Sequence, residues 1–240
     1  MSIAFGLFLV AVLYASVGQA GGTGYIAVMG LAGFSPAVIK PTALALNVLV
    51  AVIGTVRFAK AGMLTWRSCY PFAILGAPFS VLGGATHLDP SLYRPVVGAL
   101  LVAASVQMLR TRPRPGGGPY DPPFLPGLLV GAAIGFVSGV TGVGGGIFLA
   151  PLVLAMRWVD VRQAAALSAV FNLLNSCAAL IGSWATLRLL PPELPGWLLI
   201  VAAGGFVGSW LAVQRLPTRV LRWLLSALLA VAGLRMFIPF

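Results

Sequence analysis

Long hydrophobic runs separated by short polar segments extend along nearly the whole chain. A helix needs about 20 predominantly apolar residues to cross the hydrocarbon core of a bilayer, and several runs reach that length. Continuous apolar runs favour helices over the alternating pattern of membrane barrel strands. The pattern therefore predicts an all-α polytopic membrane protein with apolar segments at residues 3–34, 37–57, 66–86, 92–110, 125–156, 162–187, 196–214 and 218–238.

Glycine-rich motifs interrupt two of these segments. The sequence ASVGQAGGTGYI (residues 15–26) matches VSGVTGVGGGIF (137–148) at an offset of 122 residues. Each glycine in a helix interior costs about 1 kcal/mol relative to alanine, and three in a row end a helix without improving its packing surface. We therefore expect each segment to consist of two half-helices joined by a glycine loop. Helix packing alone accounts for Gly131, Gly135 and Gly139.

A second repeated block indicates that the chain is built from two homologous halves. LYRPVVGALLVAASVQML (92–109) matches VLRWLLSALLAVAGLRMF (220–237) at an offset of 128 residues. The halves are residues 1–110 and 127–240, and the proline- and glycine-rich residues 111–126 between them should form an exposed linker. Because the offset grows by six residues between the two repeated motifs, the second half should contain an insertion near its second long helix.

The distribution of basic residues distinguishes parallel repeats from inverted repeats. If each broken segment crosses the membrane once, the 15 basic residues divide eight to seven between the two sides. If each broken segment forms a re-entrant helix hairpin, each half has three transmembrane helices and the second half is inverted. The 15 basic residues then divide eleven to four between the two sides. The positive-inside rule favours this asymmetry. We therefore predict inverted repeats, external termini, and a cytoplasmic side that carries Arg57, Lys60, Arg67, Arg110, Arg112, Arg114, Arg157, Arg162, Arg215, Arg219 and Arg222.

Composition argues against several classes of function. Hydrophobic residues make up 60% of the chain and charged residues 8%, which leaves no soluble domain to bind nucleic acid despite a net charge of +11. Cys69 and Cys177 lack metal-ligand spacing, so we expect free thiols and neither metal nor cofactor. A single histidine, His87, argues against a hydrolase, and no catalytic residue is predicted. No carboxylate lies within a predicted span, which argues against cation transport. The four acidic residues are Asp89, Asp121, Asp160 and Glu193.

The glycine loops predict an anion site. Where a half-helix begins, free N–H groups and the positive end of the helix attract an anion, and glycine keeps side chains away from the backbone. A helix break within a membrane also has to be buried in protein or to line a wet cavity. We therefore expect the two loops to meet near the membrane midplane and to bind an anion through Gly22, Thr23, Gly24, Gly144, Gly145 and Gly146.

Polar side chains within the apolar segments extend this candidate site. Ser168, Asn172 and Asn175 fall on one face of a helix, where they can donate hydrogen bonds to an oxyanion. Asn47 is the first-half counterpart of Ser168 when counted from the glycine loop, or of Asn175 when counted back from the following helices. The alternative is that buried amides only tie helices together. The candidate donors are Gln19, Asn47, Thr141, Ser168, Asn172 and Asn175.

The motifs GFVSGVTGVGGGIFLAPLVL and AAALSAVFNLL, with the weaker first copy SVGQAGGTGYIAVMGL and ALALNVLVAVIG, resemble the sulfite exporter TauE/SafE family of membrane permeases. The resemblance covers nearly the whole chain and implies movement of sulfite, sulfoacetate or a related sulfur-containing anion across the bacterial inner membrane, usually outward. The first copy reads GQAGGTG, and AALS stands where a Thr-Ser pair is common, so the substrate stays open. The resemblance places on the family motif Gly142, Gly144, Gly145, Gly146 and Ser168, with Gly22, Gly24 and Asn47 as first-half equivalents.

These observations lead to one favoured function and two alternatives. The favoured function is a secondary transporter that exports a small sulfur-containing anion, such as sulfite or an organosulfonate, bound near the midplane between the glycine loops while the two halves rock around it. The expected partners are this anion and the lipid bilayer, with no nucleic acid and no particular oligomeric state. The alternatives are a non-transporting membrane scaffold and a channel for a small neutral solute.

Overall fold

The computed structural model describes residues 3–86, 122–214 and 217–237, together with residues 98–99, 102, 105–106 and 109. Within these residues every regular element is a helix, in agreement with the predicted all-α fold. A short 3-10 helix, Trp184–Leu189, follows the α-helix Val161–Gly182. The α-helices are α1 (Ile3–Ala15), α2 (Gly22–Leu31), α3 (Pro36–Lys60), α4 (Trp66–Ala85), α5 (Phe124–Thr141), α6 (Gly146–Ala155), α7 (Val161–Gly182), α8 (Leu194–Gln214) and α9 (Thr218–Met236).

Helix length separates membrane-spanning helices from partial ones. Five described helices, α3, α4, α5, α7 and α8, are long and apolar enough to cross a membrane. The helices α1, α2 and α6 are also apolar but have only 13, 10 and 10 residues. At 1.5 Å per residue they extend about 15 to 20 Å, which is less than the hydrocarbon thickness of about 30 Å. The described helices therefore fit a multi-pass membrane protein that also contains partial spans.

Both glycine motifs break their helices, as predicted. The first glycine loop (residues 16–21) separates α1 from α2, and the second (residues 142–145) separates α5 from α6. Each loop ends on a glycine in the left-handed region, Gly21 at φ 105° and Gly145 at φ 82°. Only glycine adopts this conformation without strain. One difference from expectation is that α5 has 18 residues and is long enough to span the membrane by itself.

The predicted insertion lies after α7. Five residues, 61–65, connect α3 to α4, whereas eleven residues, 183–193, connect α7 to α8, a difference of six. The longer connection contains the 3-10 helix, so the segment expected at 162–187 ends as an α-helix at Gly182. Most of the repeated block at 92–109, and most of the predicted linker at 111–126, lie outside the described residues.

The helices α4 and α5 pack side by side along much of their length. A β-carbon added to any of three glycines of α5, spaced one turn apart, would overlap a backbone carbonyl of α4. The contacts follow the same order along both helices, so α4 and α5 run parallel. The prediction that these glycines allow close packing is therefore confirmed. The pairs are Gly131 with Phe72, Gly135 with Gly76, and Gly139 with Ser80.

The helices α1 and α8 pack in the same manner, again through glycine. A β-carbon on Gly204 would lie 2.8 Å from the carbonyl oxygen of Phe8, and one on Gly208 would overlap the carbonyl oxygen of Val12. Residues four positions later on α8 contact residues four positions later on α1, so α1 and α8 run parallel. Each broken segment therefore packs against a helix of the other predicted half.

The long helices α3 and α7 cross in opposite directions. Gly54, near the end of α3, faces the β-carbon of Ala169 in the first half of α7. Near the start of α3, Lys40 Nζ donates to the carbonyl oxygen of Gly84, and Ser183 Oγ at the end of α7 donates to the same oxygen. The start of α3 thus lies beside the end of α7.

A capping box fixes the start of α7. Asp160 Oδ1 accepts a hydrogen bond from the N–H of Gln163 at 2.8 Å, and Gln163 Oε1 accepts one from the N–H of Asp160 at 3.1 Å. We expect Asp160→Ala to lower stability by about 1 kcal/mol, because it leaves one of these backbone N–H groups without its acceptor. The thermal midpoint should then fall by about 2–4 °C.

The control for this variant is Glu193→Ala, which removes the same charge from an exposed turn before α8. Its midpoint should stay within about 1 °C of the wild type. Differential scanning fluorimetry in detergent measures both variants. Equal shifts would mean that the acidic charge, and not the capping geometry, stabilises the protein.

Candidate functional site

The two glycine loops touch each other directly. Gln19 Nε2, in the first loop, donates to the carbonyl oxygen of Gly146, the first residue of α6, at 3.0 Å. A β-carbon added to Gly22, the first residue of α2, would lie 2.5 Å from the carbonyl oxygen of Val143 in the second loop. The starts of α2 and α6 therefore meet at one place, which we call the loop junction and define as residues 18–22 and 142–146.

One face of α7 holds the second loop in place. Asn172 Oδ1 accepts from the N–H of Gly146 at 2.8 Å, and Asn172 Nδ2 donates to Gln19 Oε1 at 3.3 Å. Ser168 Oγ, one turn earlier, donates to the carbonyl oxygen of Gly146 at 3.4 Å. Asn172 thus bridges the two glycine loops through a single side chain.

Asn47 on α3 reaches the junction from the opposite side. Its Nδ2 donates to the carbonyl oxygen of Val143 at 3.3 Å. Asn47 lies eleven residues after the first residue of α3, and Asn172 lies eleven residues after the first residue of α7. Asn172 is therefore the structural counterpart of Asn47, a pairing that differs from both sequence alignments, which gave Ser168 or Asn175.

The two amides enclose Gly144. A β-carbon added there would lie 2.8 Å from Asn172 Oδ1 and 3.1 Å from Asn47 Nδ2. Gly144 also has φ 90°, so a side chain at this position would be strained as well as crowded. This is the physical reason for one of the three consecutive glycines: a methyl group at this position would displace two buried polar groups.

Four of the predicted site residues make contacts other than those that join the two loops. Thr23 Oγ1 bonds Tyr14 OH at 2.7 Å, and Gly24 packs on Val10, so both face α1. Thr141 Oγ1 accepts from the N–H of Val143 at 3.1 Å and braces the second loop from within. Asn175 Nδ2 donates to the backbone oxygen of Phe171 in its own helix, and the backbone oxygen of Asn175 accepts from Ser80 Oγ on α4.

The remaining predicted residues come together, and the structure adds another. Gly145 packs against Ser138 and Phe171. Ser176 was not expected, yet its Oγ would lie 3.1 Å from a β-carbon on Gly144. Its position one turn after Asn172 is the signal that could have found it. The predicted residues at the junction are Gln19, Gly22, Asn47, Gly144, Gly145, Gly146, Ser168 and Asn172.

The junction is closed to solvent but keeps spare hydrogen-bonding capacity. The side chains of Gln19, Asn47, Ser168 and Asn172 are at most 4% exposed. Asn47 Oδ1, Ser138 Oγ and Ser176 Oγ are buried without a hydrogen-bond partner among the described residues. A buried polar group left unpaired costs about 1–3 kcal/mol. The helices around the junction therefore have to separate before a ligand can use these groups.

A groove on the surface lies away from the junction. A groove of about 580 Å³ between α3 and α8 is lined mostly by apolar side chains, and none of the predicted site residues lines it. At this groove the Arg57 guanidinium lies 3.8 Å from the centre of the Phe206 ring. Because the groove is open and apolar, it fits a surface that faces lipid better than a site for a small polar ligand.

The described acidic residues stay outside the spans. Asp160 caps α7, and Glu193 lies in the turn before α8, as the sequence predicts, while His87, Asp89 and Asp121 are outside the described residues. Cys69 and Cys177 are free thiols. In the part of the chain that the structure describes, no cluster of three or more metal-ligating side chains occurs.

The profile of the Sulfite exporter TauE/SafE family matches residues 3–236 of this chain. The chain belongs to this family. The resemblance identified from the glycine motifs is thereby confirmed, and the match spans both glycine loops, α3 and α7. The TauE/SafE assignment thus includes every residue of the loop junction.

Two curated relatives are named as transporters. This TauE/SafE chain is 51% identical to "Probable membrane transporter protein y4hK" of Sinorhizobium fredii, over 98% of this chain and 97% of that protein. It is 29% identical to "Probable membrane transporter protein MJ0441" of Methanocaldococcus jannaschii, over 54% of this chain and 49% of that protein. No solved structure shows a significant match. The family and these relatives indicate a membrane transporter of the TauE/SafE type.

Proposed function

We propose that this protein is a secondary transporter that exports a small sulfur-containing anion, such as sulfite or an organosulfonate, and binds it at the loop junction. The observation that carries the proposal is the meeting of α2 and α6: Gly146, the first residue of α6, bonds Gln19 and Asn172, and Gly22, the first residue of α2, packs against Val143. Two helix N-termini at one place supply N–H groups and partial positive charge from both sides. The description of the family as sulfite exporters supports a sulfur oxyanion.

The donors at the junction fit an oxyanion. Asn47 Nδ2 and Asn172 Nδ2 both donate to the junction, Asn47 to the backbone oxygen of Val143 and Asn172 to the side-chain oxygen Oε1 of Gln19. When the surrounding helices separate, these amides and the Ser176 hydroxyl become donors for the anion. The anion then takes the place of protein acceptors, so no donor is left unpaired in the bound state. Neutral donors of this kind bind a small anion without holding it permanently.

We propose an inverted repeat with both termini external, and the packing supports it. In an inverted repeat, equivalent helices run in opposite directions, as α3 and α7 do. A two-fold axis in the membrane plane also requires that each pair of packed helices has an equivalent pair related to it by the axis. The pairs α1 with α8 and α5 with α4 are equivalent in this sense, because each joins a broken segment to the last described span of the other predicted half.

The test is anion flux in proteoliposomes that contain the purified full-length protein. We expect saturable movement of at least one anion from a panel of sulfite, thiosulfate, sulfoacetate and an aryl sulfonate, measured with and without a pH gradient. Sulfite at 100 times its Kd should also stabilise the protein by about 2.7 kcal/mol. Protein-free liposomes, glucose and Mg²⁺ are the controls.

Two results would contradict the proposal. If no anion moves and none stabilises the protein, the junction ties helices together, as in the scaffold alternative. If glucose or another neutral solute moves as fast as sulfite, the positive helix ends are not used, as in the channel alternative.

A further inference from the structure

Lys40 is a half-buried cation that joins the start of α3 to the end of α4. Its Nζ donates to the carbonyl oxygen of Gly84 at 3.0 Å. Ser183 Oγ, at the end of α7, donates to the same oxygen at 3.0 Å. Among the residues that the structure describes, the acceptor of this lysine is a neutral carbonyl, which balances a positive charge less well than an anion does.

Lys40 also contacts the second glycine loop. A β-carbon added to Gly142, the first residue of that loop, would lie 3.1 Å from Lys40 Cγ. Lys40 precedes Asn47 by seven residues, so both lie on the same face of α3, about 10 Å apart along the helix axis. Asn47 contacts Val143, the next residue of the loop. The loop thus connects the lysine to the junction.

The equivalent position on the other side of the junction carries no charge. Gly18 lies four residues before the start of α2, as Gly142 lies four residues before the start of α6. A β-carbon on Gly18 would overlap the backbone of Ala165, which lies four residues after the start of α7, as Lys40 lies four residues after the start of α3. The two loops therefore pack on equivalent positions, one of which is a lysine and the other an alanine.

We propose that Lys40 binds the transported anion in a subsite beside Gly142, on one side of the loop junction only. This inference rests on the proposed function. The anion replaces the carbonyl oxygen of Gly84 as the acceptor of Lys40 Nζ, because a hydrogen bond between two ionised groups is stronger than one to a neutral carbonyl. In the proposed orientation Lys40 lies on the external side, so this subsite is the last one occupied during export.

Replacing the acceptor also frees the end of α4 from α3. Gly84 then keeps its bond to Ser183 on α7, while Lys40 no longer ties α3 to α4. Separation of α3 from α4 opens a way along Gly142 toward the junction. Anion binding at Lys40 is thereby coupled to opening of the side on which Lys40 lies.

The test compares four variants in proteoliposomes at sulfite concentrations well below saturation. Lys40→Met removes the charge and the donor, Lys40→Gln keeps a donor but not the charge, and Lys40→Arg keeps both. Lys60→Met, at the exposed opposite end of α3, is the matched control for loss of a lysine. Thermal midpoints without sulfite establish that each variant is folded.

We expect sulfite flux to fall about tenfold or more in Lys40→Met and Lys40→Gln, as for loss of a hydrogen bond to a charged group. Lys40→Arg and Lys60→Met should stay within about threefold of the wild type. Lys40→Gln should keep a midpoint near that of the wild type, which separates lost anion binding from lost helix packing.

Three results would overturn the inference. Wild-type flux in Lys40→Gln would mean that the charge is not used. Equal losses in Lys40→Arg and Lys40→Gln, or in Lys60→Met and Lys40→Met, would mean that the effect is not specific to a cation at this position. In each case the wild type still transports sulfite and the proposed function stands, whereas a wild type that moves no anion of the panel removes both proposals.

Discussion

Replacing Asn172 by aspartate is expected to reduce anion flux at least 100-fold while leaving the protein folded. The carboxylate has the shape of the amide, and its Oδ1 can still accept from the N–H of Gly146. The second oxygen, however, replaces the Nδ2 donor that now bonds Gln19. A negative charge about 4 Å from a bound anion costs about 4 kcal/mol at an effective dielectric constant of 20. Sulfite flux and the thermal midpoint measure the two effects separately.

The matched control is Gln214→Glu, the same amide-to-acid change at the exposed end of α8. It alters the net charge equally but lies outside the loop junction, so flux should change less than twofold. Flux in Asn172→Asp that stays within tenfold of the control would mean that the anion does not approach Asn172. The binding site would then have to lie away from the junction.

Replacing Gly135 by valine is expected to lower the thermal midpoint by about 10 °C or to prevent purification of folded protein. A β-carbon at this position would overlap the carbonyl oxygen of Gly76 on α4. Backbone cannot move aside as a flexible side chain can, so α4 and α5 have to separate. Overpacking of this kind costs about 1–3 kcal/mol and occasionally more, and each kcal/mol shifts the midpoint by about 2–4 °C.

Gly196→Val is the control for this change. Gly196 also lies in a helix, α8, but a β-carbon there would meet no heavy atom within 4 Å. Its midpoint should stay within about 2 °C of the wild type, because valine and glycine differ in helix propensity by only a few tenths of a kcal/mol. Similar losses in both variants would show that flexibility of glycine, and not close helix packing, is required at Gly135.

The positions of the helix breaks could be predicted because the glycine motif occurs twice. Both loops fall where the repeat places them, and the connection that contains six extra residues follows from the change of offset. Contacts between the loops were also foreseeable, since unpaired backbone groups inside a membrane need protein around them. Gln19, Ser168 and Asn172 reach the junction for this reason.

The rotation of individual helices could not be predicted from the sequence. Asn175 and Ser176 flank the line through Ser168 and Asn172, and only the placement of the second loop decides which of them faces it. Thr23 and Gly24 face α1 because α1 folds back against α2, a contact that no periodicity reveals. In the sequence Lys40 is one of the four basic residues on the predicted external side, and no pattern indicates that it contacts the second glycine loop.

Each broken segment packs against a helix of the other predicted half, and this limits which parts of the protein can move as rigid units. Backbone atoms of α1 and α8, and of α4 and α5, approach so closely that neither pair can slide without overlap. Each pair combines one helix from residues 1–110 with one from 127–240. If the protein exposes an anion to the two sides in turn, as proposed, the packing places the movement in the mixed pairs and not in a hinge at the linker. These pairs would turn against the α3–α7 crossing, and we expect a severed linker to leave that movement intact.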